Sequence, residues 1–178
     1  EPLADMIFAQ DGSVSSVDLV AKDFINEEKG VLTAEDALKG ASDIIAERVS
    51  DDAELRKTIR KKIFETGDLS CKLLENENAK TYDMYADYAE KIAKIPSHRI
   101  LAVNRGEKEK VLTVKIVAPE EKILKYLEKQ VIVKENPNTT ATLQAVCADS
   151  YHRLIADSIE RDIRNEMTEH AEDGAIEV

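Results

Sequence analysis

The sequence predicts a mainly α-helical fold: a multi-helix scaffold with one small β element and a long C-terminal helix. From Thr140 to about Asp173, apolar residues return to one stripe at helical spacing. Within residues 111–117, every second side chain from Leu112 to Ile116 is apolar and the two between them are polar, as in a strand with one buried face. Aromatic residues make up 4% of the chain and Trp is absent, so the core must consist mostly of aliphatic side chains.

The first third of the chain contains three predicted helices. Residues 3–7 are expected to end a helix before Asp11-Gly12-Ser13, and Ser16 is expected to cap a short helix that Gly30 ends. Thr33 opens a stronger helix, because its hydroxyl can accept a hydrogen bond from the amide of Asp36.

The next helix is expected to begin at Ser50 as its N-cap and to end at Gly67. Residues 69–74 can form a short extended segment. Tyr82, Tyr85 and Tyr88 recur at every third position, which predicts that they share one side of a helix or of a single turn.

Within residues 95–117, the spacing of the apolar residues changes from that of a helix to that of a strand. Pro96 ends any preceding helix, Ser97 is expected to cap a short helix, and Gly106 is expected to end it. The alternating strand 111–117 follows after a polar turn. Helix, turn and strand therefore lie between two helical regions.

Pro119 is expected to be the first residue of the next helix, and residues 131–133 either extend that helix or form a second strand. Asn136-Pro137-Asn138 is a clear break. The helix that follows would span about 50 Å at ~1.5 Å per residue. We expect it to be too long for this chain to bury, so that it protrudes or bridges to something outside.

These segments suggest three parts. Residues 1–94 are an N-terminal helical part, and residues 95–135 are a helix-turn-strand-helix unit. Residues 139–178 form the long helix, which leads to downstream domains outside this sequence. Because the chain starts at Glu1 without Met, we expect it to be an excised fragment or a processed product.

The charge of the chain limits its partners. With 25 Lys plus Arg and 36 Asp plus Glu among 178 residues, the net charge is −11. An acidic chain repels phosphate backbones overall, so any contact with RNA or DNA must be local. The scarcity of aromatic residues also disfavours a surface on which bases stack.

No cofactor, metal site or catalytic motif is predicted, and we expect no enzyme. Cys71 and Cys147 lie far apart in apolar surroundings, which favours buried thiols in a reducing cytoplasm. His98 follows a predicted helix start, where a structural hydrogen bond is its usual role. His152 is five residues from Cys147, which turns the two apart on a helix. No apolar run approaches the ~20 residues that span a membrane.

A basic cluster is the strongest candidate for a binding surface. Arg56, Lys57, Arg60 and Lys61 fan over about 140° of one helical face at ~100° per residue, so they can meet phosphate. Acids at the start of this helix and bases at its end also complement the helix dipole, which requires no ligand. The full candidate set for nucleic-acid binding is Arg56, Lys57, Arg60, Lys61, Arg99, Arg105, Lys108 and Lys110.

Several segments carry a family resemblance. Residues 95–99 (Ile-Pro-Ser-His-Arg), followed by an apolar run and then Arg-Gly-Glu-Lys-Glu at 105–109, resemble the N-terminal region of the bacterial Tex family of transcription accessory proteins. Residues 39–47, 51–56 and 151–161 extend the resemblance. One departure is Asp157, where many relatives carry proline, so a kink at this position is not carried over.

The resemblance implies a parent that is a multidomain cytoplasmic transcription factor. Members carry a ribonuclease-H-like domain regarded as non-catalytic, a helix-hairpin-helix module and an OB-fold that binds RNA. All three would follow Val178. We therefore expect this chain to be a non-catalytic helical scaffold within an RNA-binding factor. The alternatives are that the chain itself binds nucleic acid through its basic patch, or that it docks a protein partner such as RNA polymerase.

Overall fold

A computed structural model describes residues 1–10, 20–26, 29–74, 84–85 and 87–176. Within these ranges the fold is mainly helical with one small antiparallel sheet, which confirms the predicted fold class. A short 3₁₀ turn covers Lys22–Phe24. The elements are α1 (Pro2–Ala9), α2 (Ala34–Asp51), α3 (Ala53–Thr66), β1 (Asp68–Leu73), β2 (Asp87–Lys91), α4 (Ser97–Lys108), β3 (Leu112–Val117), α5 (Glu120–Val131), α6 (Thr140–Asp149), a π-helical segment (Ser150–Ile155) and α7 (Ala156–Ile176).

The chain forms two compact units. The first comprises Glu1–Arg56 and Glu121–Asp157, and the second comprises Lys57–Glu120 and Ser158–Val178. The three-part division made from the sequence stays a prediction about domain organisation.

The first unit is a helical bundle around an aliphatic core, in which Ile7, Ile45, Ile123 and Leu143 are fully buried. Among the described residues of this unit, the buried side chains of Gln10, Ser50 and Ser150 find backbone partners, whereas the buried Thr139 hydroxyl has none. The Ser150 hydroxyl donates to the carbonyl oxygen of Ala46 at 2.7 Å. These bonds satisfy groups that would otherwise destabilise the core.

Gln10 links the end of α1 to the end of α5 in the same unit. It is 3% exposed, and its amide nitrogen donates to the carbonyl oxygen of Val131 at 2.6 Å. Its backbone adopts φ 55°, the left-handed conformation that ends a helix. The predicted helix at 3–7 therefore exists and ends at Gln10. The predicted stop at 11–13, and most of the helix after Ser16, lie outside the described residues.

The second unit contains a three-stranded antiparallel sheet in the order β2-β1-β3. The central strand β1 places Ser70 opposite Ala89 of β2 and opposite Lys115 of β3. At the outer side of β3, the amide of Ile116 donates to the Glu160 carboxylate at 2.9 Å. The strand predicted at 111–117 and the extended segment at 69–74 are both confirmed.

Of the N-caps predicted for α2 and α3, the first is confirmed and the second is wrong. The Thr33 hydroxyl accepts from the amide of Asp36 at 3.1 Å, as expected. Ser50 does not cap the next helix, because it is the penultimate residue of α2 and donates to the carbonyl oxygen of Glu47. Asp52 is the cap, since its carboxylate accepts from the amides of Glu54 and Leu55.

The boundaries of α4 also differ from the prediction. Pro96 is the N-cap residue, and Ser97 makes no side-chain cap. Gly106 lies buried inside the helix, which continues to Lys108, and Lys110 takes the left-handed conformation with φ 61°. The start was placed one position too late and the end about one turn too early, because local propensity allows neighbouring positions to begin or end a helix.

Other sequence expectations had mixed outcomes. The helix expected through Tyr85 and Tyr88 is wrong, since Tyr88 lies in β2 and its ring meets that of Tyr85 edge to face at 5.2 Å; Tyr82 is outside the described residues. The helix after Pro119 begins at Glu120 and ends at Val131, and residues 132 and 133 form no strand. The break at 136–138 is confirmed.

The C-terminal helix runs from Thr140 to Ile176 and contains a π-helical segment, Ser150–Ile155, just before Asp157. Contrary to expectation, this chain buries its apolar stripe. The residues of the stripe that are at most 4% exposed are Leu143, Val146, Cys147, Tyr151, Ile155, Ile159, Ile163, Met167 and Ala171. The expectation failed because both units, one after the other, cover this helix.

Two glycines provide a test of backbone packing. At Gly67, an added Cβ would lie 2.5 Å from the carbonyl oxygen of Ile63, whereas at Gly40 nothing lies within 4 Å. We expect Gly67→Ala to lower the free energy of unfolding by about 1–3 kcal/mol. The matched variant Gly40→Ala, within α2, should raise it by about 0.5–1 kcal/mol. Urea denaturation measures the free energy of unfolding of both variants. Equal changes of the same sign in the two variants would contradict the close packing at Gly67.

Each unit contains one buried thiol, Cys147 in the first and Cys71 in the second. Burial raises the pKa of Cys71 to about 11 and that of Cys147 to about 12. Both pKa values are raised, so the stability that the neutral thiols contribute is present below the ordinary pKa of 9.0 and is lost as pH rises toward those values.

We expect iodoacetamide at pH 8 to modify neither thiol of the folded chain at the rate seen in urea, because the thiolate is the reactive species. Peptide mass spectrometry distinguishes Cys147 of the first unit from Cys71 of the second. Modification of either thiol at its unfolded rate would contradict its buried position.

Candidate nucleic-acid interface

The eight basic residues nominated from the sequence lie on two helices and just beyond one of them. Four are on α3 and three are on α4, with Lys110 following α4. A phosphate-binding surface requires these side chains to be exposed and free of carboxylates. Their hydrogen bonds and ion pairs therefore decide which of them are available.

On α3, Arg56 is engaged with backbone. Its guanidinium donates to the carbonyl oxygen of Ser50 and, at 3.2 Å, to that of Leu154 in the π-helical segment. A π-helical segment disturbs the regular ladder of carbonyl oxygens, so an arginine donor satisfies an acceptor there. Arg56 is thus held by structure rather than presented to solvent.

The other three nominated residues of α3, Lys57, Arg60 and Lys61, are exposed. Arg60 lies 3.6 Å from the Glu166 carboxylate, and Lys61 lies 4.0 Å from that of Glu65, one turn along the helix. Among the residues that the structure describes, Lys57 makes no ion pair. Pairs between exposed side chains are worth only about 0–1 kcal/mol, so a phosphate can compete for these cations.

Arg99 on α4 belongs to a local cluster with β2. Its guanidinium donates to the Glu90 carboxylate at 3.0 Å and lies 6.0 Å from the centre of the Tyr88 ring. The hydroxyl of Tyr88 also donates to Glu90. This hydrogen bond, together with Arg99, lowers the pKa of the Glu90 carboxyl, while burial raises the pKa of Tyr88. Glu90 therefore neutralises Arg99.

The end of α4 presents the remaining basic residues. Arg105, Lys108 and Lys110 are exposed. Arg105 and Lys108 form no ion pair within the described parts of the chain. Cations in the last turn of a helix also interact favourably with its dipole. Lys57, Arg105 and Lys108 are thus the nominated residues without a carboxylate partner, and the nucleic-acid role of the whole set stays a prediction.

A polar network between α4 and α7 was not predicted from the sequence. Arg164 is mostly buried and binds both carboxylate oxygens of Glu107, at 2.9 and 3.1 Å. It also donates to Asn104, whose amide donates to Thr168 at 2.8 Å. Residues three and four apart on each helix share one face, but a single sequence does not reveal which two helices pair.

Two absences hold within the described ranges of the chain. No set of three or more His, Cys, Asp and Glu side chains is grouped so as to hold a metal ion. None of the helices there combines the length and the apolar character needed to cross a bilayer.

The fold and the matched sequence define the class of protein: a mainly helical region with a small sheet, found within much longer proteins. The family description "Tex central region-like" matches residues 15–178. The chain belongs to the Tex family, in agreement with the resemblance seen in the sequence.

Three relatives illustrate the range of similarity. The uncharacterized protein YdcI of Bacillus subtilis is 43% identical over 183 residues, which cover 100% of this chain and 25% of YdcI. Protein tex of Bordetella pertussis is 37% identical over 118 residues, covering 65% of this chain and 15% of that protein. The human S1 RNA-binding domain-containing protein 1 is 24% identical over 190 residues, covering 99% and 19% respectively. The chain therefore spans a quarter or less of these relatives.

The cluster of Tyr88, Glu90 and Arg99 predicts a pH dependence. The pKa of Glu90 is lowered in the folded state, so its contribution to stability is present above its unfolded pKa and is lost as pH falls toward the folded value. We expect Glu90→Gln to remove a few tenths to 1 kcal/mol at pH 7, and less at pH 3.

Urea denaturation at the two pH values measures this difference. Glu65→Gln is the matched control, because Glu65 pairs with Lys61 at 4.0 Å on the exposed surface of one helix. Its effect should be smaller. A loss for Glu90→Gln that is the same at pH 3 and pH 7 would contradict the assignment.

Proposed function

We propose that this chain is a non-catalytic helical scaffold within a Tex-like RNA-binding transcription accessory factor. The observation that carries the proposal is the continuous helix Thr140–Ile176. Its side chains from Leu143 to Ile155 lie in the core of the first unit, and those from Ile159 to Ala171 lie in the core of the second. A helix that contributes to the core of each unit suits a role in positioning other domains.

Names of relatives support nucleic acid as a partner of the whole protein. One relative, from Neisseria gonorrhoeae, is named a transcriptional accessory protein, and the human relative is named for an S1 RNA-binding domain. We extend RNA binding to the full-length protein that contains this chain, and we place it in the cytoplasm. The two free, buried thiols suit a reducing compartment.

A second candidate is that the chain itself binds nucleic acid through the nominated basic residues. Lys57, Arg105 and Lys108 favour this hypothesis, because they are exposed and no carboxylate among the described residues pairs with them. Against it, Arg56, Arg60, Lys61 and Arg99 are already engaged.

A protein partner from the transcription machinery is the third candidate. The sequence of the first unit contains nineteen acidic and ten basic residues, a net charge of −9, whereas that of the second contains seventeen and fifteen, a net charge of −2. An acidic surface attracts a basic protein and accelerates its association.

Insertions in α7 test the scaffold role in the full-length protein. Two alanines inserted after Glu172, just beyond the buried Ala171, rotate whatever follows in the helix by about 200° and shift it by about 3 Å. Seven inserted alanines rotate it by about 700°, which is nearly in phase, although the shift is about 10 Å.

If the helix orients an RNA-binding part, the two-residue insertion should weaken binding of single-stranded RNA at least tenfold, about 1.4 kcal/mol. The seven-residue insertion should have the smaller effect despite its greater length. Circular dichroism checks that both variants fold. Unchanged affinity after the two-residue insertion would overturn the scaffold role.

A further inference from the structure

The sheet of the second unit has one buried face and one open face. Leu69, Cys71, Leu112 and Val114 form the buried face and are at most 8% exposed. The alternate residues form the open face, because successive side chains of a strand point to opposite sides. These residues are half-buried or exposed: Asp68, Ser70, Lys72, Asp87, Ala89, Lys91, Thr113, Lys115 and Val117.

Four residues of the open face form a compact polar group on neighbouring strands. Lys72 of β1 lies opposite Thr113 of β3, and Ser70 of β1 lies opposite Lys115 of β3. Directly opposite residues have Cβ atoms about 4.5–5.5 Å apart, and diagonal neighbours about 7–8 Å apart. The two lysines therefore occupy one diagonal of the group and the two hydroxyl residues occupy the other. We call these four residues the sheet-face group.

The sheet-face group has no partners in the described parts of the chain. Lys72 and Lys115 are exposed and make no ion pair there, and the hydroxyls of Ser70 and Thr113 make no hydrogen bond there. The neighbouring Lys91 differs, since its ammonium lies 3.2 Å from the Asp68 carboxylate. Hydrogen-bond donors that lie together on one surface without acceptors can bind an anion.

The charge of the residues nearest in sequence favours an anionic ligand more than that of the whole chain does. Residues 57–120 carry thirteen basic and ten acidic side chains, a net charge of +3, and residues 158–178 lower the net charge of the whole second unit to −2, within a chain of net charge −11. Asp87 lies beside Lys72 at the β2 side of the sheet-face group without forming an ion pair with it. The free cations therefore lie on the β1–β3 side.

We propose that the sheet-face group binds the phosphate backbone of single-stranded RNA. The inference rests on the proposed function, in which the parent is an RNA-binding factor, and it assigns this chain a contact of its own. Lysine ammonium and serine or threonine hydroxyl groups are common donors to phosphate oxygens. None of the nine residues of the open face is aromatic, so the bases have no stacking surface there, and binding is independent of base sequence.

The test is a titration of the 178-residue chain with a short fluorescent oligouridylate, followed by anisotropy over a series of KCl concentrations. The logarithm of the association constant falls with the logarithm of salt by about 0.7 for each phosphate neutralised on a single strand. We expect Lys72→Gln combined with Lys115→Gln to reduce this slope by about 1.4. A second oligonucleotide of mixed sequence should give the same loss.

The matched control combines Lys39→Gln with Lys129→Gln, which removes the same charge from two exposed lysines of α2 and α5 without ion pairs in the described ranges. Its slope should stay at the unsubstituted value. An equal reduction in both variants, or no binding by the unsubstituted chain at the lowest salt, would overturn the proposal.

A second measurement does not depend on the folding of a variant. In the unsubstituted chain, bound oligouridylate should protect Lys72 and Lys115 from acetylation, while Lys57 and Lys108 react as in the free chain. Protection of the helical pair alone would assign binding to the helices and overturn the sheet site. Because the scaffold role is measured by α7 insertions in the full-length protein, failure here leaves that result independent.

Discussion

The burial of one side of the C-terminal helix is the constraint on which both units depend. Its core residues from Leu143 to Ala171 recur at intervals of four, although an α-helix turns once in 3.6 residues. A four-residue step advances the buried side by about 40°, so the stripe would wind around a regular helix. The π-helical segment Ser150–Ile155 turns less per residue and takes up part of this drift. Each unit can then pack on its own length of the same helix.

The polar side chains of the chain serve packing before they serve binding. Arg56, Arg99 and Arg164 are all engaged with carbonyl or carboxylate oxygens. Guanidinium groups suit this task because their planar fork can satisfy two acceptors at once. The cations left over are mostly lysines, whose flexible stems hold the charge in solvent. This division separates the structural basic residues from those that are free to meet an external anion.

The sequence was sufficient to predict elements in which apolar residues recur at a regular spacing. It was insufficient for features that depend on contacts between distant parts of the chain. The alternation at 111–117 and the stripe after Thr140 gave the strand and the long helix correctly. Caps were less certain, because Ser50 and Asp52 have similar propensities and only packing decides between them. The sheet-face group was missed, since Ser70 and Lys115 are far apart in sequence and meet only through the register of β1 and β3.

The hydrogen bond from the Ile116 amide to Glu160 also bears on solubility. A strand at the border of a sheet offers unpaired amides to other chains, and natural proteins block such borders with covers or charges. Here a carboxylate from α7 occupies one of these amides, so an intruding strand would have to displace a negative charge. Partial melting of the last helix would release that amide, and the second unit would become a template for assembly into fibrils.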